Sequence, residues 1–332
     1  MDKARPIWQE LPLHFKRSLV GKLDYKSRCC LRKVSCADRE LVDECPVYLA
    51  SVRFDPPTNS QDSTANLMIS EYIVDSEDSE VIVCTRYDES DVISDSLLPF
   101  SHRRSLMEEV FFYRNLSRRS EPPVMSAFHA KLMTEIRKNP GLKFRAEKMR
   151  WWWETSTGVE FLEAFQLFDP SVLRTLTVEK ICEVCINEVV ETEQWKNLKH
   201  IHYVDRQSIP IKHFLHFHKL HLKFFELDPE SVWQLIRSYR SVDRQVGSYF
   251  EVTTAHRLNR TGILKKFDVT ARSEPIDPED NGHFQRFPVA TGDRVLCVWI
   301  NAETHSNGHM KGVVCRRDHV QEDFVIPGSW ML

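Results

Sequence analysis

The chain has 332 residues, 28% of them charged and 11% aromatic, with a formal net charge of -3. Such a length predicts two or three domains with at least one sizeable core, and such a composition an ordered globular chain rather than a disordered one. The near-neutral balance excludes a chain-wide attraction to nucleic acid or to an anionic membrane surface.

No stretch approaches the roughly 18 consecutive apolar residues that a membrane-crossing helix needs. The opening Met1-Asp2-Lys3-Ala4-Arg5-Pro6 lacks the apolar core of a signal peptide. Nine cysteines without framework spacing fit free thiols in a reducing, intracellular compartment, cytoplasm or nucleus. Glycine is scarce, at 10 residues, and no P-loop, Gly-x-Gly-x-x-Gly turn or Gly-x-Ser-x-Gly elbow occurs. Sites that wrap backbone around phosphates need those glycines. With no convergent acid–base pair in view either, the expectation is a chain that is not an enzyme and takes no cofactor.

In chain order, residues 7–48 predict three short helices. Trp8 and Leu11-Pro12 lead in, and Phe15, Leu19, Val20 and Leu23 recur at helical spacing. Asp24 is placed to cap a second helix carrying Leu31 and Val34, and Cys45-Pro46 stops a third that carries Leu41 and Val42. So small a helical unit buries little surface and completes its core against a partner. Residues 54–66 have linker composition, with two prolines and no apolar period. Residues 67–104 predict a hairpin and an acidic connector. Between 54 and 100 there are eleven Asp and Glu against a single Arg, which reads as a solvated acidic region.

From 105 to 325 helical and strand patterns alternate. Met107-Val110-Phe111 and Phe128-Leu132-Met133-Ile136 have helical spacing. Short apolar strands are predicted from Leu142, Leu173, Leu198, Leu220 and Tyr249, with helices between them at 159–167, 179–185 and 231–239. A helix–strand unit recurring every 20 to 30 residues or so predicts a leucine-rich-repeat-like α/β domain, its units stacked because none buries its own apolar face. A doubly wound α/β sheet is the alternative. Val295–Ile300 and Met310–Cys315 are predicted strands that close the sheet as a cap.

Several of these residues carry a resemblance. Trp8-x-x-Leu11-Pro12, Val20-x-x-Leu23-Asp24, Ser27-Arg28, Leu31-Arg32-Lys33-Val34-Ser35 and Arg39 resemble the F-box of the large nematode F-box family. The helix start Asp228-Pro229-Glu230-Ser231-Val232-Trp233 and the leucine-spaced strands look like the FTH domain, the F-box-associated domain of that family. The late tryptophan of the F-box is replaced here by polar residues near Arg39. The resemblance implies a substrate-recognition subunit of a Skp-cullin-F-box ubiquitin ligase. The F-box would dock on a Skp-type adaptor, and through it a cullin, by Leu11, Pro12, Val20, Leu23, Leu31 and Val34. An FTH-like domain would hold a protein substrate while other subunits transfer ubiquitin. The alternative is an interaction scaffold with no ligase role.

Two further clusters stand out. His213, His216, His218 and His221, with Cys182-x-x-Cys185 upstream, superficially suggest zinc. Zinc sites bring two well-spaced ligand pairs together, however, and strand parity would put His216 and His218 opposite His221, so solvated or packed histidines are expected. Trp151-Trp152-Trp153 sets large rings on both faces of any strand, with core packing preferred to a binding hot spot. The arginine pairs at 103–104 and 118–119 are too sparse for nucleic acid.

Overall fold

The computed structural model describes residues 7–55, 64–72, 80–88, 93, 97–113, 122–153, 159–179, 181, 183–204, 209–241, 244–267, 274–275, 282–301 and 307–320. Its contacts divide the chain into two compact α/β units, residues 1–174 and 175–332. This division falls inside the segment 105–325 rather than at the proline-bearing 54–66.

The first unit opens with four helices, α1 (Ile7–Glu10), α2 (Leu13–Lys22), α3 (Tyr25–Arg32) and α4 (Cys36–Asp43). Asp24 caps α3 by accepting a hydrogen bond from Ser27 N at 2.6 Å, and Ser35 caps α4 through Asp38 N at 3.1 Å. Trp8 Nε1 donates to Asp38 Oδ1 at 2.8 Å, which fastens α1 to α4. The buried Arg28 donates to the carbonyls of Gly21 and Leu23, left open where α2 ends, and to that of Pro46 beyond α4.

Cys45 to Val47 then lead directly into a strand, β1 (Tyr48–Asp55). Residues 54 and 55 of the expected linker belong to β1, residues 64–66 belong to the next strand, and 56–63 lie outside the described residues. β1 sits between β2 (Thr64–Tyr72), antiparallel, and β4 (Leu106–Phe112), parallel. β3 (Glu80–Asp88) pairs antiparallel with β2, and β5 (Ala146–Trp151) runs parallel beside β4. A one-turn helix α5 (Leu98–Ser101), a long helix α6 (Pro122–Arg137) and α7 (Val159–Gln166) complete the unit.

Met107-Val110-Phe111, read as helical, is therefore strand β4. Its buried residues Met107, Val110 and Phe112 stand three and then two apart, and the first gap mimics a helical step. The strand expected from Leu142 starts at Ala146 instead, with Phe144 forming an isolated bridge to Phe168. Trp151 and Trp153 are buried with Phe112, Phe128 and Phe161 between sheet and helices, as core packing predicts, whereas Trp152 points to the other face and stays half-buried.

In the second unit β6 (Thr175–Val178), β7 (His200–Tyr203), β8 (Lys219–Phe224) and β9 (Tyr249–Thr254) lie parallel and adjacent in chain order. The chain crosses between them through α8 (Glu183–Glu191) and α9 (Glu193–Asn197), a 3₁₀ turn at Ile211–Phe214, and α10 (Pro229–Ser241). α8 begins later than the predicted 179–185. α10 begins where Asp228 Oδ1 accepts from Glu230 N and Ser231 N. It buries Val232, Leu235, Ile236 and Tyr239, a helical stripe worth about 1.5–3 kcal/mol for each full-sized apolar side chain. A short helix α11 (Arg260–Leu264) follows β9. The strands β10 (Glu274–Pro275), β11 (Gly282–Pro288), β12 (Arg294–Asn301) and β13 (Gly308–Arg316) pair antiparallel with one another, and β13 pairs antiparallel with β9. No helix among the described residues is long and apolar enough to cross a membrane.

Candidate functional site

The residues expected to meet an adaptor are dispersed over the helical segment. Pro12 and Val34 are exposed, Val34 at 72%, and Leu11, Leu23 and Leu31 are half-buried. Val20, expected on the same surface, is fully buried and serves the core of the helices instead. Leu13 and Phe15 on the first turn of α2 are also exposed, at 54% and 48%. Arg32 makes two bonds to Asp43, at 2.7 and 3.2 Å, so α3 and α4 are tied laterally while these apolar side chains face out. An exposed apolar residue on its own means little, and the four exposed here, Pro12, Leu13, Phe15 and Val34, lie at the start of α2 and just after α3.

A second candidate is the half-buried face of the sheet in the second unit, opposite the one that carries the apolar core. Strand alternation sends Ile201, Tyr203, Leu220, Leu222, Phe250 and Val252 to the helix side. The intervening positions face away. Thr177, His202, His221, Glu251, Lys311 and Trp299 stand opposite one another in a single row across five neighbouring strand pairs. The His202 and His221 rings lie 4.2 Å apart. Glu251 is held from both sides, by His221 Nδ1 at 3.3 Å and His309 Nε2 at 2.9 Å. Hydrogen bonds from His221 and His309 hold its carboxyl far below the usual carboxylate range, so it is ionised. Trp299 and His309 meet edge to face at 5.3 Å. The result is a polar, aromatic platform on rigid strands, able to make directional hydrogen bonds across an extended surface.

The first unit carries a different patch. Phe111, Tyr113 and Trp152 gather with ring centres 4.8 to 5.9 Å apart. Arg53 lies 3.2 Å from the Tyr113 ring centre, and Arg150 lies 5.8 Å from that of Phe111 while binding Glu109 at 2.6 Å. Half-buried Trp, Tyr and Arg together are the residue types that dominate protein-binding hot spots. The tryptophan run thus splits, two rings for the core and one for this patch.

The histidine crowd does not converge. His216 and His218 precede β8 rather than belonging to it, so strand parity does not govern them. His216 Nε2 meets Trp195 O at 3.0 Å, while His221 turns to Glu251. Cys182 lies outside the described residues. Among the described residues no three His, Cys, Asp or Glu side chains are grouped to hold a metal. The His202–His221–Glu251 row went unnoticed in the sequence, although reading His200–Tyr203, Lys219–Phe224 and Tyr249–Thr254 with one common two-residue phase selects its members.

Among known protein families, the model of the FTH domain matches residues 130–270. That span runs from within α6, through β5 and all four parallel strands of the second unit, past α11. It contains His202, His221, Glu251 and Trp152. No curated protein matches the chain.

Proposed function

We propose that this chain is the substrate-recognition subunit of a Skp-cullin-F-box ubiquitin ligase. Residues 7–48 act as an F-box that docks on a Skp-type adaptor, and through it a cullin. The leucine-rich-repeat-like α/β region recruits a protein substrate. The observation that carries the reading is the FTH match, because that family is associated with F-box proteins. Two features support it. A short helical segment bearing exposed Leu13, Phe15 and Val34 precedes the α/β region, and rigid strands present polar and aromatic side chains on a half-buried face, as protein-binding surfaces do. The chain supplies affinity and geometry, no catalytic residue and no cofactor, and ubiquitin transfer belongs to other subunits. It acts within the cell, in cytoplasm or nucleus, on a protein partner, without nucleic acid or membrane.

The test separates the two tasks. A chain lacking residues 1–43 should still capture its substrate yet no longer support substrate ubiquitination in a reconstituted reaction. Undiminished ubiquitination by that truncated chain, or a substrate held only through residues 1–43, would overturn the division.

A further inference from the structure

A groove outside the half-buried sheet face lies between the Ile211–Phe214 turn and the last turns of α10. Lys212, His216, His218, Arg237, Ser241 and Arg244 line it, and its volume is about 630 Å³. No Asp or Glu is among the described residues that line it. Lys212 and Arg237 are exposed, and neither makes a side-chain hydrogen bond or ion pair among the described residues. Arg244 differs: it is buried, and its two terminal nitrogens donate to the carbonyls of Leu215, His216 and Phe217 and to Ser238 Oγ. It is a fixed positive charge in the groove wall. Burial, with Arg244 and Lys199 nearby, holds His216 and His218 below the ordinary histidine value.

Gathering like charges without a counter-charge is unfavourable unless something anionic completes the site. Arg237 and Ser241 also line an adjoining groove of about 490 Å³, whose other walls include Trp233, Pro288, Val289 and Ala290. Two exposed cations lining one groove, beside an aromatic and proline shelf, suit one compact dianion attached to a chain with an apolar neighbour. A nucleic acid would need a continuous basic surface, and the chain's net charge of -3 does not favour one.

We infer that this double groove recognises a phosphorylated segment of a partner protein, the phosphate seated against Lys212, His216 and Arg237 and an adjacent apolar side chain on the Trp233–Pro288 shelf. The inference rests on the reading that the α/β region recruits protein substrates, and it names their chemistry. Phosphate offers three strong acceptor oxygens, and charge-assisted bonds to Arg and Lys are roughly twice as strong as neutral ones.

The full chain, immobilised, is challenged with a degenerate peptide library carrying either phosphoserine or serine at its fixed centre, with inorganic phosphate as competitor. Phosphoserine peptides should be retained at least tenfold over their serine counterparts, enriched for an apolar neighbour, and displaced by millimolar phosphate. Arg237→Gln combined with Lys212→Gln should cut that retention at least tenfold. Lys223→Gln, which removes an exposed charge from β8, should leave it unchanged. Equal retention of both libraries, indifference to the groove variants, or capture of phosphatidylserine vesicles in place of the phosphopeptides overturns the inference. Adaptor binding by the parent chain is read separately, so a parent that binds the adaptor but shows no phosphopeptide selectivity overturns the groove inference and leaves the adaptor reading standing.

Discussion

At the scale of single residues, the strongest dependences come from polar groups placed inside apolar surroundings. His129 on α6 is 2% exposed between Trp151 and Trp153, and burial pushes its imidazole down to about 4. Glu163 stands 3.8 Å away, too far to hydrogen-bond it. The unfolded chain takes up this proton near 6.5, so the folded state binds fewer protons between those values. Stability is then complete above pH 6.5 and declines as pH falls towards about 4, by at most roughly 3 kcal/mol. Thermal melting of the His129→Leu variant should show a flatter pH dependence across that interval, and an unchanged slope would refute the assignment. Arg244 answers several carbonyls at once, and Arg244→Leu strands them in a buried place. A loss of about 3 kcal/mol or more is expected in denaturant unfolding. Neither residue was legible in the sequence, since what marks them is the company they keep in space.

At the scale of elements, two-residue alternation was the dependable signal. Lys219–Phe224 and Tyr249–Thr254 alternate cleanly and form strands where they were expected, whereas β4 breaks phase at Glu108–Glu109 and reads as a helix. The pairing of β13 with β9 depends on Gly312 lying opposite Phe250. A Cβ there would fall 2.2 Å from the Phe250 ring, so Gly312→Ala should cost roughly 1–3 kcal/mol. A melting temperature equal to that of the parent would show that the ring can move aside. β1 gives a sharper case. Val47 N is bonded to Ser105 Oγ at 2.9 Å, and Leu106 N to Val47 O at 3.1 Å, which stitches the start of β1 to β4. Removing residues 1–43 spares this strand, whereas removing 1–50 cuts into it and exposes the edge of β4. The shorter deletion should remain soluble and melt cooperatively, and the longer should aggregate. Equal behaviour of the two would mean that β1 is dispensable. The proline-bearing stretch concealed this boundary because composition marks where a chain turns, not where its contacts end.

At the scale of the molecule, adaptor docking is proposed for the helical segment and substrate recognition for the α/β region. The alternation of helices and strands from 105 onward was plain in the sequence, and so was the FTH likeness, which the family match supports over 130–270. The division into residues 1–174 and 175–332 was not, because strands of both units repeat the same apolar grammar. The most direct measurement is the affinity of the purified full chain for a purified Skp-type adaptor, by calorimetry, alongside two surface variants. Val34→Asp and the paired Leu11→Ala and Pro12→Ala change exposed or half-buried positions and leave the buried Val20 in place. A one-to-one complex of micromolar affinity or tighter is expected for the parent, weakened about thirty-fold or more in each variant, the loss typical of an interface hot spot of 2 kcal/mol. No detectable complex with the parent chain, or equal affinity for parent and variants, would contradict the assignment.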